Sequence, residues 1–549
     1  MKGSDLFCQS LIAQGANRIY GVPGEENGDF MVSLKKFDEL SFITTRHEHV
    51  ASFTAAMEGH LSGQPGICMS TLGPGACNII TGVGQANMDN MPLIVIVGQA
   101  STTRMHKVSH QNMDLVSLFE PVTKWATTVR DVQSIPEIVA KAYKVAQEGQ
   151  PGAVMIELPE DVAHESLHQN IQPIPHIDVN YQGEAPQQDI KRVVEILQQA
   201  KSPLLLAGEG AVREEVDAVL AKFLDKTKLY AATTFMGKGS ISDRYSQSLH
   251  TVGMGMKDIA IEAFDQADVV ICVGYDMVEW PPAKWNGHGD KTVIHIANTP
   301  AEVDTCYVPD IELVGGIKHI LNQLDQAYAG LPPVHTEIAF ASIQEKVHLD
   351  QDSYSHESDF PAKPKAFLHA LRNLMKDDDR LFSDVGAHKM WVARQYHTYQ
   401  SKTCSISNGF CSMGGSISAA IASKTLDQDK AAVALCGDGG FIMSIQALAT
   451  ASTEKLPIQV IVWVDDHYGL IKWKQEMEFN QESHTALHNQ NLPKIAEGFG
   501  AKSCIIESIE QFQEAFTSAP SDQPSVYFVP IDYRENMKLF EHLKEVVDE

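Results

Sequence analysis

Short apolar runs that alternate with helical patterns are the feature that most constrains the fold of this chain. Three blocks of the 549-residue sequence show this alternation, and each repeats it several times. The predicted strands are RIYGV, FITT, GICMST, LIVIVG and AVMIEL in the first block, PLLLAG, LYAATT, VVICVG and VIHIAN in the second, and LFSDVG, CSISNG, AVALCGDGG, IQVIVWVDD and SVYFVPID in the third. Runs such as PLLLAG and VVICVG have the length and apolar character of strands buried on both faces. Such strands, joined by helices, form parallel sheets. The sequence therefore predicts three doubly wound α/β domains, over residues 1–170, 188–333 and 360–549.

Two polar segments separate the three blocks. The first, HQNIQPIPHIDVNYQGEAPQQ, is dotted with prolines and reads as a linker. The second, SIQEKVHLDQDSYSHESDFPAKPK, is polar throughout, and we expect another connector there.

Charge and composition exclude several classes of partner. The formal net charge of −27 disfavours nucleic acid, because phosphates require a basic surface. No run approaches the roughly 18 apolar residues of a membrane helix, and the first residues lack the apolar core of a signal peptide. The nine cysteines include no CxxC pair. These features predict a cytoplasmic protein with reduced thiols and no membrane partner.

The stretch LCGDGGFIMSIQ places Asp438 among Gly437, Gly439 and Gly440, between an apolar run and a helical pattern. It fits neither the GxGxxG dinucleotide fingerprint nor the P-loop, which requires a lysine. An aspartate at a strand end, beside a helix amino terminus, suits a divalent metal that bridges to a phosphate. A tight turn with a capping aspartate would use the same residues, so this stretch alone leaves both interpretations open.

The next apolar run, IQVIVWV, ends in Asp465, Asp466 and His467, and Asp465 lies 27 residues after Asp438. That separation corresponds to one strand–helix–strand unit. In a parallel sheet the two strand ends lie at the same edge, so both carboxylates can bind one hard cation such as Mg²⁺.

A GDG triplet followed at this distance by Asn or Asp is the thiamine diphosphate motif, and the chain resembles the acetolactate synthase branch of thiamine diphosphate enzymes. Other motifs of the family occur in order between about residue 5 and residue 535. They are Gly21-Val22-Pro23-Gly24, Arg46-His47-Glu48, TLGPGACN from Thr71 to Asn78, Ser109-His110-Gln111, Asp384-Val385-Gly386-Ala387-His388 and Met413-Gly414-Gly415.

The resemblance implies a pyrimidine-binding domain, a central domain and a diphosphate-binding domain. It also implies that pyruvate is decarboxylated and joined to a second pyruvate, giving 2-acetolactate and CO₂. Glu48 would exchange a proton with the cofactor's pyrimidine ring, and His110 and Gln111 would contact the substrate. Asp438, Asp465 and a main-chain oxygen near His467 would bind Mg²⁺. The implied cofactor-binding residues are Pro23, Gly24, Asn78, Gly386, Ala387, His388, Met413, Gly437, Gly439, Gly440, Tyr468, Gly469 and Leu470.

Family resemblance further implies a homodimer or homotetramer, because the two ends of one cofactor come from different subunits. Three positions resemble the catabolic, FAD-independent type rather than the biosynthetic type. These are Tyr275-Asp276 in place of RFDDR, Glu160 in place of lysine and Lys474 in place of tryptophan. By contrast, the segment Phe235–Gly239 looks more like the biosynthetic type.

Two alternatives stay open at this point. One is another thiamine diphosphate-dependent 2-oxo acid decarboxylase or carboligase with a different acceptor. The other is a non-catalytic relative that binds the cofactor or a partner protein. The acids Glu25 and Glu26, which follow the Gly-x-Pro-Gly turn, would repel a second carboxylate substrate if they faced the cavity.

Overall fold

Three parallel six-stranded sheets follow one another along the chain, which confirms the predicted fold class. The structure is a computed structural model, and it describes residues 1–168, 171–179, 183–253, 259–334, 338–352 and 360–536. Among these residues, none of the helices combines the length and apolar character needed to cross a lipid bilayer.

The first sheet has the strand order β2-β1-β3-β4-β6-β5. Its strands are β1 Arg18–Gly21, β2 Ser41–Thr44, β3 Gly66–Ser70, β4 Leu93–Gln99, β5 Trp125–Thr128 and β6 Ala153–Pro159. Its helices are α1 Gly3–Ala13, α2 Gly28–Leu34, α3 Glu48–Ser62, α4 Pro74–Met88, α5 Leu115–Phe119, α6 Ile135–Gln147 and α7 Glu160–His164.

The second sheet has the order β12-β11-β10-β7-β8-β9, which is that of a dinucleotide-binding fold. Its strands are β7 Pro203–Ala207, β8 Tyr230–Thr233, β9 Ser248–Thr251, β10 Val269–Val273, β11 Thr292–Ala297 and β12 Ile311–Val314. The helices of this region are α8 Gln187–Gln199, α9 Glu209–Arg213, α10 Asp217–Thr227, α11 Ile261–Gln266, α12 Ile317–Ala327 and α13 Ile338–Asp352.

The third sheet repeats the order of the first, as β14-β13-β15-β16-β18-β17. Its strands are β13 Arg380–Ser383, β14 Cys404–Ile406, β15 Ala432–Gly437, β16 Gln459–Val464, β17 Lys502–Ile505 and β18 Ser525–Pro530. Its helices are α14 Pro364–Leu374, α15 Ala387–Gln395, α16 Ser416–Leu426, α17 Asp438–Ser444, α18 Ala447–Thr453, α19 Gly469–Phe479, α20 Leu492–Gly498 and α21 Ile509–Thr517.

Four of these strands, β5, β9, β12 and β17, were not among the strands that the apolar runs predicted. All four lie at the edge of a sheet. An edge strand has a neighbour on one side only, and three of the four are partly exposed, whereas β9 is buried along its length but carries polar residues. In β12 and β17 exposed residues therefore break the apolar run that marks a central strand.

The second predicted connector is partly wrong, because its first half continues helix α13. Phe340, Ile343 and Val347 of that helix are buried in the core of the central domain. They are four and three residues apart, so they lie on one face of the helix. The polar residues between them make the segment read as a connector.

The first and third domains share one continuous hydrophobic core. Helix α3 packs against α16, and Phe53 approaches Gly415 closely. The main-chain amide of Gly409 donates to Asp89 Oδ1 at 3.0 Å. Lys402 of the third domain also donates to the carbonyl of Leu61 at 3.1 Å. The two domains that carry the predicted site residues are therefore packed directly together within one chain.

Candidate functional site

Neighbouring parallel strands bring Asp438 and Asp465 to the same sheet edge. Gly437 at the end of β15 pairs with Trp463 of β16, so each aspartate follows at the carboxyl end of its strand. Asp438 is the first residue of α17, and Asp465 begins the turn before α19. This edge is where doubly wound sheets bind ligands, next to the point where the strand order reverses between β13 and β15.

Burial of the two carboxylates outweighs the nearby positive charge of Lys472. Asp438 is 1% exposed, and this burial raises its pKa. Hydrogen bonds from Asn489 and from the amides of Asp466 and Gly439 lower the pKa but do not cancel the effect of burial. Burial, and then the negative charge of Asp438, raise the pKa of Asp465 to about 7. A divalent cation between them would stabilise both ionised forms, and carboxylate oxygen is the ligand that Mg²⁺ prefers.

His467, the third predicted metal residue, turns its ring back toward its own main chain. Its Nδ1 lies 2.7 Å from the carbonyl oxygen of Asp465. The imidazole is therefore engaged locally, which is consistent with a main-chain rather than a side-chain role for this residue.

Asn489 is a member of this group that the sequence analysis missed. Its Nδ2 donates to Asp438 Oδ2 at 2.6 Å and to Asp466 Oδ1 at 2.7 Å. It comes from the loop after α19, 51 residues beyond Asp438, and no motif marks it. Its amide holds Asp438 and the β16 turn in a fixed relative position.

A cleft at this edge brings together most of the predicted cofactor-binding residues of the third domain. Its lining also includes three residues absent from the prediction, Val385, Ile471 and Tyr533. The predicted residues in the lining are Gly386, Ala387, His388, Met413, Gly437, Asp438, Gly439, Gly440, Asp465, His467, Tyr468, Gly469 and Leu470.

The glycines of the cleft are required by close contacts. A Cβ on Gly439 would lie 2.8 Å from the ring of Tyr468, and one on Gly440 would lie 2.7 Å from Asp384 Oδ2. The amide of Gly440, the third residue of α17, has no partner within the helix, whereas the amide of Gly439 donates to Asp438 Oδ1 at 3.0 Å. The start of α17 therefore offers a main-chain donor at Gly440 to an anion.

His388 lies buried in the same cleft with an unused nitrogen. Its Nε2 has no hydrogen-bond partner among the residues that the structure describes. Burial lowers the pKa of this imidazole to about 3, so it is neutral and can present an N–H. In the tautomer that carries its proton on Nε2, this buried ring beside the Gly440 amide fits a phosphate group, and the two aspartates fit the metal that would accompany it.

Asp384 connects the His388 loop to Met413. Its carboxylate accepts from the amide of Val385 at 2.8 Å and from the amide of Gly414 at 2.9 Å. Burial raises the pKa of Asp384 to about 6 against these hydrogen bonds. The contacts hold the half-buried Met413 at the wall of the cleft.

A second group of predicted residues lies at the corresponding edge of the first sheet. Glu48 begins α3, and its Oε2 accepts from Asn78 Nδ2 at 3.0 Å. A Cβ on Gly24 would meet the side chain of Thr71 at 2.3 Å, so the β1 and β3 loops touch.

The remaining predicted residues of this group are more exposed. Gln111 lies against Gly73, where a Cβ would approach it to 2.9 Å. Pro23 and His110 are exposed. Glu26 is engaged by the Thr71 hydroxyl, which donates to its Oε2 at 2.7 Å.

The structure does not bring the two groups into one site. The described residues that line the cleft around Asp438 all belong to the third domain, and neither Glu48 nor Gln111 is among them. Within one chain, the two groups therefore occupy separate sheet edges.

Comparison with known proteins found three matching domain families. They are the N-terminal thiamine pyrophosphate (TPP) binding domain over residues 1–118, the central domain over 190–324 and the C-terminal TPP binding domain over 384–530, all of thiamine pyrophosphate enzymes.

Acetolactate synthase of Bacillus subtilis is 32% identical over 98% of this chain and 94% of its own length. The catabolic acetolactate synthase of Raoultella terrigena is 31% identical over 99% and 98%. A probable acetolactate synthase large subunit of Methanocaldococcus jannaschii is 30% identical over 98% and 93%.

Proposed function

Because the chain belongs to the acetolactate synthase family of thiamine diphosphate enzymes, we propose that it joins two molecules of pyruvate into 2-acetolactate with release of CO₂. The cleft of the third domain is the observation that carries this proposal. It combines paired aspartates, the helix amide of Gly440 and the Nε2 of His388, which has no partner among the described residues. Bound thiamine diphosphate supplies the electron sink that lets the carbonyl carbon of a 2-oxo acid lose CO₂ and react as a nucleophile.

The third domain would bind the diphosphate end of the cofactor. Asp438, Asp465 and the main-chain oxygen of His467 would hold Mg²⁺. The phosphate oxygens would accept hydrogen bonds from His388 and from the amides near Gly439. Gly386, Ala387, Gly437, Gly440, Tyr468, Gly469 and Leu470 would complete the walls of this end, and Met413 would support the middle of the cofactor.

The first domain would bind the pyrimidine end. The Glu48 carboxyl would exchange a proton with a ring nitrogen, and Asn78 would orient it through the hydrogen bond at Oε2. Pro23 and Gly24 would lie at the edge of the ring. His110 and Gln111, which are exposed, would reach the substrate carboxylate from the loop that follows β4.

The active unit we propose is a homodimer. Glu48 and Asp438 lie at separate sheet edges within one chain, so one site would take Glu48 from one subunit and Asp438 from the other. Ile442 and Met443, on the helix that begins at Asp438, are each 44% exposed. These exposed apolar side chains lie beside a site that lacks Glu48, and a second copy of the chain would cover them and supply that residue.

We also propose that the enzyme works without FAD. The switch point of the central sheet lies between β7 and β10, where a dinucleotide phosphate would meet the first amide of α9. There, both carboxylate oxygens of Glu279 accept from the amide of Glu209 at 3.0 Å, and the hydroxyl of Thr234 also donates to Glu279. A carboxylate of the chain itself thus occupies the place of the phosphate.

We propose that the enzyme acts in the cytoplasm. All nine cysteines are free thiols, as expected in a reducing compartment.

Product analysis tests the proposed reaction. Purified protein with pyruvate, Mg²⁺ and thiamine diphosphate, and no added flavin, should form 2-acetolactate, measured by mass spectrometry and by acid conversion to acetoin. A parallel incubation with pyruvate and 2-oxobutyrate tests the choice of acceptor. Rapid CO₂ release without acetolactate would instead identify a simple decarboxylase, and flavin absorption in the active protein would contradict the FAD proposal.

A further inference from the structure

Asp243, His250 and His397 form a cluster where the central domain meets the third domain. Asp243 lies in the segment before β9, His250 lies within β9, and His397 follows the end of α15. The side chains of Asp243 and His250 are 5% and 4% exposed, and that of His397 is 31% exposed. The cluster lies outside both groups of proposed active-site residues.

The potential ligand atoms of the three residues lie within 4.8 Å of one another. Nδ1 of His250 is 3.1 Å from Oδ1 of Asp243, and Nδ1 of His397 is 3.9 Å from Oδ2. The ligand atoms of a four-coordinate Zn²⁺ are about 3.3 Å apart. The His397–Asp243 separation exceeds this spacing, so His397, which is 31% exposed, is the residue that would have to move toward the metal.

His250 supplies a second, independent observation. Neither of its ring nitrogens has a hydrogen-bond partner in the described part of the chain, although Asp243 is near. A buried imidazole whose nitrogens lack partners calls for an explanation, and a bound cation is one. The backbone φ of His250, +59°, is also unusual for a residue other than glycine, and such conformations concentrate at functional sites.

We propose that Asp243, His250 and His397 bind a transition-metal dication such as Zn²⁺, which fastens the central domain to the third domain. Two imidazoles and one carboxylate select Zn²⁺ or Co²⁺ over Mg²⁺, which prefers oxygen ligands. Water would occupy the fourth position on the exposed side, next to His397.

The ammonium group of Lys238 competes with the metal for the carboxylate of Asp243. Its buried Nζ lies 3.6 Å from Oδ2 of Asp243 and 3.4 Å from Oγ1 of Thr251. Lys238 repels a dication and therefore weakens the site without removing a ligand.

Co²⁺ titration of the holoenzyme tests the site. The protein is first saturated with Mg²⁺ and thiamine diphosphate, so that the Asp438 cleft is filled, and Co²⁺ is followed by its visible absorption and by equilibrium dialysis. We expect one Co²⁺ per chain with the intense bands of four-coordinate geometry, and a rise in melting temperature that His250→Asn and His397→Asn lose.

Substitutions should move the affinity in opposite directions. His250→Asn and His397→Asn should each weaken Co²⁺ binding by more than the roughly 10–100-fold cost of losing an outer-sphere partner. Lys238→Met should strengthen it about tenfold, because it removes a buried like charge. His319→Asn, on an exposed histidine of the same domain, should change nothing.

Three results would overturn the proposal. They are wild-type Co²⁺ affinity in His397→Asn, weaker binding in Lys238→Met, and loss of binding in His319→Asn, which would mark adventitious uptake by surface histidines. His397 is half-exposed and Lys238→Met is expected to gain affinity, so these readouts remain decisive even if His250→Asn fails to fold.

Discussion

Glu48 is the carboxylate on which the proposed proton exchange depends. It begins α3 at the open edge of the first sheet, where Asn78 holds one of its oxygens. Replacing it with glutamine keeps the shape and the hydrogen bond but removes the exchangeable proton. The substitution should therefore lower the turnover rate far more than it lowers the affinity for the cofactor.

Glu48→Gln should lower turnover of pyruvate by about 10²–10⁴-fold, which is the usual contribution of general acid–base catalysis. The dissociation constant of thiamine diphosphate, measured by calorimetry with Mg²⁺ present, should change little because the diphosphate cleft is untouched. Glu137→Gln, on an exposed carboxylate of the same domain, is the matched control. Unchanged turnover in Glu48→Gln would remove this residue from the mechanism.

Asn489 should matter for metal binding although it is not itself a predicted ligand. Asn489→Ala leaves Asp438 and Asp466 without their shared amide donor. The Mg²⁺ concentration that gives half-maximal activity should rise by about 10–100-fold, as when outer-sphere partners are lost. Gln490→Ala, whose amide bonds only the nearby carbonyl of His488, should behave as wild type. Equal Mg²⁺ dependence in both variants would contradict this role.

The raised pKa of Asp384 predicts that the free energy of unfolding depends on pH. Burial raises its pKa from 3.8 to about 6, so the folded chain holds this proton more tightly than the unfolded chain does. The free energy of unfolding therefore falls as the pH rises through this interval, and the contribution of Asp384 is constant above it. Between about pH 4.5 and pH 7 the loss is of order 2 kcal/mol.

Asp384→Asn should remove that loss, because an amide does not titrate and can still accept from Val385 and Gly414. Urea unfolding of the cofactor-free protein at both pH values measures it as the difference in pH sensitivity between wild type and variant. Asp378→Asn, on a partly exposed carboxylate nearby, serves as the control. Identical pH sensitivity in wild type and Asp384→Asn would show that Asp384 keeps its ordinary pKa.

At the scale of elements, the short helix α7 holds the loop that carries His110 and Gln111. Glu160 accepts from Arg104 at 2.6 Å and from the amide of Ser101 at 3.2 Å. Asp161 accepts from the amide of Thr102 at 3.0 Å. Two neighbouring acids at the start of one helix thus fasten the beginning of the proposed substrate loop.

Glu160→Gln should raise the KM for pyruvate several-fold and leave the melting temperature almost unchanged. The pair with Arg104 is 38% exposed on each side and contributes little to stability, about 0–1 kcal/mol at most. Loss of this pair should therefore displace the substrate loop and raise KM without lowering the melting temperature. Steady-state kinetics with thermal melting separate the two quantities, and Glu165→Gln, an exposed acid at the end of α7, is the control. A large drop in melting temperature with unchanged KM would contradict a positioning role.

At the scale of the whole molecule, the first and third sheets have the same strand order, and their switch points carry the two halves of the proposed site. Each half is incomplete alone. Two copies related by a two-fold axis would complete two sites at once, since an isologous interface pairs each half with its complement.

Mixing two inactive variants tests this arrangement. Glu48→Gln and Asp438→Asn should each be nearly inactive, but subunits unfolded and refolded together at equal amounts should regain about a quarter of wild-type activity. Half of the dimers would be mixed, and one of the two sites in each would have both native residues. Separately refolded wild type and each variant alone are the controls. No regained activity in a mixed dimer would place both residues of a site in one chain.

Much of the fold could be predicted from the sequence. Central parallel strands are covered on both faces, so their residues are almost all apolar and appear as continuous runs such as Leu93–Gln99. The spacing of Asp438 and Asp465 also carried information, because one strand–helix–strand unit returns the chain to the same edge. Four edge strands and helix α13 were missed, since polar residues interrupt their apolar patterns.

The sequence by itself determined which residues follow the strands, and so which carboxylates and glycines can meet at a sheet edge. Only the tertiary structure decided contacts between segments that are distant along the chain. Examples are Asn489 at Asp438, Glu279 at the start of α9, and His397 beside Asp243. Such contacts depend on how loops return across the sheet edges and on how whole domains pack. No local periodicity records these arrangements, because the free energy that creates them comes from burial shared by the entire molecule.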